Sequence, residues 1–120
     1  MRIAHADFAD KGWYVGPWNS DLAVAVGYAN MGIDEPHVHT HITEIYLVAR
    51  GMAEIRVETQ TITLNPGDML ALEPGEAHTF LHSSPDYFHF VIHTPAFSGE
   101  AARQEKQPVT RARLGLPLNK

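Results

Sequence analysis

No cysteine occurs anywhere in the 120 residues, which removes disulfide scaffolds, cysteine-ligated zinc, iron–sulfur clusters and thiol nucleophiles together. Any bound metal must therefore be held by nitrogen and oxygen. Basic side chains are scarce over the first 99 positions, where 4 Lys and Arg stand against 12 Asp and Glu. So acidic a body argues against nucleic acid, whose phosphates require clustered cations. No apolar run approaches the ~20 residues that cross a bilayer. The start, MRIAHADFADKGW, lacks the basic and apolar stretches of a signal peptide. We therefore expect no nucleic acid partner, no membrane association and a cytoplasmic location.

What is present reads as one domain. A hydrophobic fraction of 44% and a charged fraction of 19% suit a packed globule. Short apolar runs with strand-like alternation recur between Pro and Gly turn signals, which predicts an all-β fold. Candidate strands cover 12–15, 22–29, 37–40, 44–49, 52–58, 60–64, 69–72, 78–82 and 87–93. So many short strands close into a sandwich or barrel, because a lone sheet would expose two edges and an apolar face. We assign the barrel domain to residues 1–97 and a tail to residues 98–120. In the tail, Ser98-Gly-Glu-Ala-Ala-Arg-Gln-Glu-Lys-Gln107 predicts a helix capped by Ser98 and ended by Pro108. That tail is expected to leave the barrel. From residue 100 onward it carries 5 basic and 2 acidic side chains, the pattern of a solvated terminus or of one lying on its own acidic body.

Seven of the eight histidines fall between His37 and His93, and three alternate in His37-Val38-His39-Thr40-His41. Residues two apart on a strand share a face at ~6.6 Å, close enough for two imidazoles to meet on one ion. Glu44 follows after room for a tight turn, as the first inward carboxylate of the next strand. His78 stands just past the turn Pro74-Gly75-Glu76-Ala77. Tyr46 shares a face with Glu44 and is expected either to reach the same cavity or to serve packing in the sheet. His41 is expected at the rim or behind a ligand. His89 and His93 alternate with Phe88, Phe90 and Ile92; if those apolar side chains face inward, both histidines lie outside.

The stretch from Gly32 to Gly51 resembles the first conserved motif of the cupin superfamily: His-x-His, four residues, Glu, six residues, Gly. The stretch Gly67-Asp68-Met-Leu-Ala-Leu-Glu73-Pro74-Gly75-Glu-Ala-His78, continuing to His82, resembles the second. The fifteen residues between the two motifs match compact members. The resemblance implies a cupin-type jelly-roll β-barrel with a short C-terminal helical or irregular tail. It assigns His37, His39, Glu44 and His78 as ligands of one divalent transition metal per chain, among Fe, Mn, Ni, Cu, Co and Zn. It also implies a homodimer. Three departures stand out. One residue is missing between Gly32 and His37, Glu73 replaces the usual proline, and His82 replaces the usual Asn. With Phe80 and His78 on its face, His82 is expected to line the cavity or to bond at the barrel end; in the first position it can move protons, as Tyr46 can orient a substrate.

Ligands at the barrel mouth, with coordination positions left open, point to a metal-dependent enzyme acting on a small polar molecule. Its chemistry would be dioxygenase-like, or isomerase- or decarboxylase-like. The alternative is a barrel that binds or senses a small ligand without converting it.

Overall fold

The computed structural model describes residues 1–7 and 10–118. Nine strands appear where alternation predicts them: β1 (Lys11–Val15), β2 (Ala25–Ala29), β3 (His37–His39), β4 (Thr43–Arg50), β5 (Ala53–Val57), β6 (Gln60–Leu64), β7 (Met69–Leu72), β8 (His78–Ser83) and β9 (Phe88–Thr94). They are followed by helix α1 (Gly99–Glu105) and a tenth strand, β10 (Lys106–Pro108). Two five-stranded antiparallel sheets result, ordered β1-β2-β9-β4-β7 and β10-β3-β8-β5-β6. This is the jelly-roll barrel expected from the motifs. Among the described residues no helix is long and apolar enough to cross a membrane.

Antiparallel register decides what faces the interior. In the first sheet, Ala25, His93, Glu44 and Leu72 lie in one row across four strands, and Gly27, Val91, Tyr46 and Leu70 in the next. Both rows face inward, where Tyr46, Val48, Leu72 and Val91 meet Ala53, Ile55, Leu64 and Phe80 of the other sheet in the main core. The intervening rows, Val26-Ile92-Ile45-Ala71 and Tyr28-Phe90-Leu47-Met69, face outward. Gly51, which closes the first motif, turns the chain from β4 to β5 at φ 75°; a Cβ there would lie 2.6 Å from the Tyr87 backbone. Only glycine meets both conditions.

One open alternative is decided and one expectation is corrected. His82 takes the hydrogen-bonded place and does not line the cavity. Ile55 pairs with Phe80 but Glu54 pairs with His82, so Leu81 is an extra residue, a β-bulge that shifts the alternation by one. His82 is thereby placed on the outward face, exposed and bonded to Glu54. The tail, in turn, does not leave the barrel. After α1, whose N-cap Ser98 makes no side-chain capping bond, β10 pairs with β3, and Leu114 is fully buried against Val38 and Ala77. Its cations lie on the acidic body, with Lys106 on Glu35, Arg111 on Asp34 and Arg113 on Glu58.

Candidate metal centre

The two sheets bring five ionisable side chains to one point. His37 and His39 come from β3, His78 from the start of β8 directly opposite His37, and Glu44 and His93 from neighbouring positions of β4 and β9. Glu44 is 5% exposed and His78 1%. Around the Glu44 Oε1 atom, the Nε2 atoms stand at 2.9 Å for His78, 3.5 Å for His39 and 3.8 Å for His37. The His93 Nε2 lies 2.6 Å from the other carboxylate oxygen. Ligand atoms of His37, Glu44 and His78, and likewise those of His39, Glu44 and His93, lie within 4.8 Å of one another.

The outer nitrogens reveal what the centre needs. The His37 Nδ1 is 2.7 Å from the Glu35 carbonyl, the His78 Nδ1 is 3.0 Å from the Glu76 carbonyl, and the His39 Nδ1 is 2.6 Å from a Glu105 carboxylate oxygen. All three partners only accept, so each Nδ1 carries the proton and donates it. In a neutral ring the Nε2 is then a bare lone pair, aimed at a carboxylate that is also only an acceptor. Acceptors turned on one another in a buried centre need a positive charge between them, a shared proton or a metal ion, and Nδ1-anchored imidazoles are how metal-ligating histidines are held. The donors present thus fit a divalent transition metal.

Electrostatics keeps the carboxylate at this point ionised. Burial opposes ionisation of Glu44, yet its contacts with His37, His39, His78 and His93 outweigh it and hold the carboxyl well below the ordinary range. Burial lowers His37, whereas His39, although buried, is raised by Glu44 and Glu105. Burial, and next the Glu44 carboxylate, push the Tyr46 hydroxyl well above its usual value, so it remains a donor.

A cavity of about 470 Å³ opens onto this centre, with Trp13, Met31, Ile33, Phe80 and Val91 among its walls and Tyr46 and His89 deeper in. A second, of about 400 Å³, shares Trp13, His39 and His93 with it. The structure therefore brings His37, His39, Glu44 and His78 together, places Tyr46 on the cavity wall, and leaves His82 outside. His41 is exposed beside Phe97, at the rim. His89 and His93 are inward, against the alternative that Phe88, Phe90 and Ile92 take that face. The alternation of β9 carried no signal for this, because apolar residues occupy both of its faces, Val91 inward and Phe90 and Ile92 outward.

A family described as Cupin domain matches residues 26–93, more than half of the chain. No curated protein sequence matches. Among solved structures, Pac13 of Streptomyces with uridine is 15% identical, with 82% of this chain and 76% of that one covered at a TM-score of 0.68. KdgF from Halomonas sp. is 19% identical over 73% of this chain and 79% of that one, at 0.62. A cupin 2 conserved barrel domain protein from Salinispora arenicola is 15% identical over 87% and 94%, also at 0.62. At these identities the likeness is one of fold.

Proposed function

We propose that this chain, which belongs to the cupin domain family, is a metal-dependent enzyme that holds one divalent transition metal through His37, His39, Glu44 and His78 and acts on a small molecule in the barrel cavity. The observation that carries the reading is the inward cage of acceptors: three Nδ1-anchored imidazoles and a buried carboxylate converging with no donor among them. When bound, the metal supplies Lewis acidity and an open position for a substrate oxygen, the basis of dioxygenase-like, isomerase-like or decarboxylase-like chemistry. The protein's own groups do the rest. The Tyr46 hydroxyl, kept protonated, donates to an anionic substrate oxygen. His93, set 2.6 Å from the second Glu44 oxygen, orients that carboxylate and holds a proton at Nε2. Trp13, Met31 and Ile33 at the mouth and Phe80 and Val91 inside give the cavity apolar walls, and it has the size of a small-molecule site. Pac13 is described as a nucleoside dehydratase, which places nucleosides beside enolisable compounds in the substrate panel.

The test is elemental analysis of protein purified without chelator, then oxygen uptake with flavonols and diketones and conversion of nucleosides. About one transition metal per chain is expected, lost in His37→Ala and His78→Ala with the β circular-dichroism signal kept. His82→Asn should match the wild type in metal content and turnover. Protein that neither carries metal nor takes it up on reconstitution refutes the reading. A loaded barrel that binds panel compounds and converts none supports the binding or sensing alternative, which draws on the lack of any Lys or Arg along β8.

The outward rows of the first sheet, on which Leu47, Met69 and Ala71 are exposed, further support a homodimer, paired through that outer face.

A further inference from the structure

The strand that carries the His-x-His pair is three residues long, and in its own barrel it is poorly held. β3 pairs with β8 at one position, His37 with His78. Its other edge is covered along all three residues by β10, with Lys106 opposite His39 and Pro108 opposite His37. The tail thus supplies most of the ladder that fixes two candidate ligands.

Glu105, the last residue of α1, goes further. It is 5% exposed, unusual for a carboxylate unless its oxygens are satisfied. One oxygen, Oε2, accepts from the backbone N–H of His41 and of Ile42, each at 3.0 Å. The backbone carbonyl accepts from the Thr40 N–H at 3.1 Å and from its hydroxyl at 2.9 Å. These bonds clamp the whole turn between His39 and Glu44. The remaining oxygen, Oε1, is turned to the His39 Nδ1 at 2.6 Å. At Nδ1, His37 and His78 are anchored by neutral carbonyls, whereas the Nδ1 of His39 faces a carboxylate. A carboxylate behind an imidazole both fixes the ring and strengthens Nε2 as a donor.

We propose that the C-terminal segment is a working part of the metal centre, with Glu105 as the positioning residue that sets the His39 imidazole and clamps the 40–42 turn. The inference rests on the metal-site reading above and adds a component that lies outside both cupin-like motifs.

The experiment compares wild type, Glu105→Gln and Glu105→Ala for Zn²⁺ and Co²⁺ affinity, by competition with a chromophoric chelator. Amide hydrogen exchange is followed in the metal-free proteins. Glu105→Ala should bind 10- to 100-fold more weakly, the usual effect of losing such a partner. Exchange at His41 and Ile42 should quicken while the β5–β6 hairpin keeps its protection. Glu105→Gln keeps the size and one acceptor oxygen but loses the charge and the second acceptor, and should fall between; it also serves if the alanine variant does not fold. Wild type that binds neither metal overturns the site reading and this proposal with it. Wild type that binds, with unchanged affinity in both variants, overturns this proposal alone, even if the two amides exchange faster, because the clamp is then structural only.

Discussion

At the scale of single residues, His89 is the buried imidazole that the metal reading does not use. It is 4% exposed, bonded through Nδ1 to the Tyr87 hydroxyl at 2.6 Å, and burial pushes its pKa down to about 4. An unfolded histidine titrates near 6.5. Between those values the unfolded chain binds a proton that the folded one refuses, so stability falls as pH drops from about 6.5 to 4 and levels off below. The slope approaches ~1.4 kcal/mol per pH unit, on the order of 3 kcal/mol in all. In metal-free protein, His89→Gln should flatten this acid loss relative to wild type in urea unfolding at stepped pH; parallel profiles would show that His89 is not the group responsible. Sequence could not settle the face of His89 and His93, because a central strand hides its register behind apolar residues on both sides. Of the candidate ligands, His37, His39 and Glu44 were legible from short spacing on strands, and His78, 34 residues from Glu44, from the resemblance to the second cupin motif. His82 stayed between two readings because the one extra residue at Leu81, which turns it outward, leaves no mark in composition.

At the scale of elements, nine strands were legible from alternation and turn residues, and the tenth was not. Lys106-Gln107-Pro108 has no apolar face of its own and becomes a strand only because β3 offers an open edge. What holds it there is a small separate core of Leu114, Val38 and Ala77, with Val109 and Leu116 packed against it. Val38 sits between His37 and His39, so the packing that seats the tail also seats the ligand strand. Leu114 is 0% exposed, and Leu114→Ala should cost about 3 kcal/mol, within the 2–5 kcal/mol usual for such truncations. Urea unfolding would show this as a lower global midpoint with the slope retained. A midpoint that does not move would mean that the tail is an independent, frayed unit and not part of the barrel's cooperative fold.

At the scale of the whole molecule, the first sheet is apolar on its outer face as well as over the core. Its inner rows reach the core and the candidate metal centre. Its outer rows, Val26-Ile92-Ile45-Ala71 and Tyr28-Phe90-Leu47-Met69, contain no charged residue across four strands. Leu47 remains 38% and Met69 59% exposed. Contiguous apolar area of this kind on a sheet face marks an interaction surface, and two copies laid face to face would cover it as sandwich sheets do. The second sheet shows the contrast: Glu54 and Arg56, flanking Ile55 on β5, are not buried, the usual polar exterior of a solvated sheet. Wild type should therefore sediment at twice the mass of one chain. Leu47→Glu with Met69→Glu should yield monomers whose metal content is unchanged, because both side chains point away from the cavity. A wild type that sediments as a monomer at tens of micromolar removes the dimer, and a double variant that still pairs moves the interface to another surface.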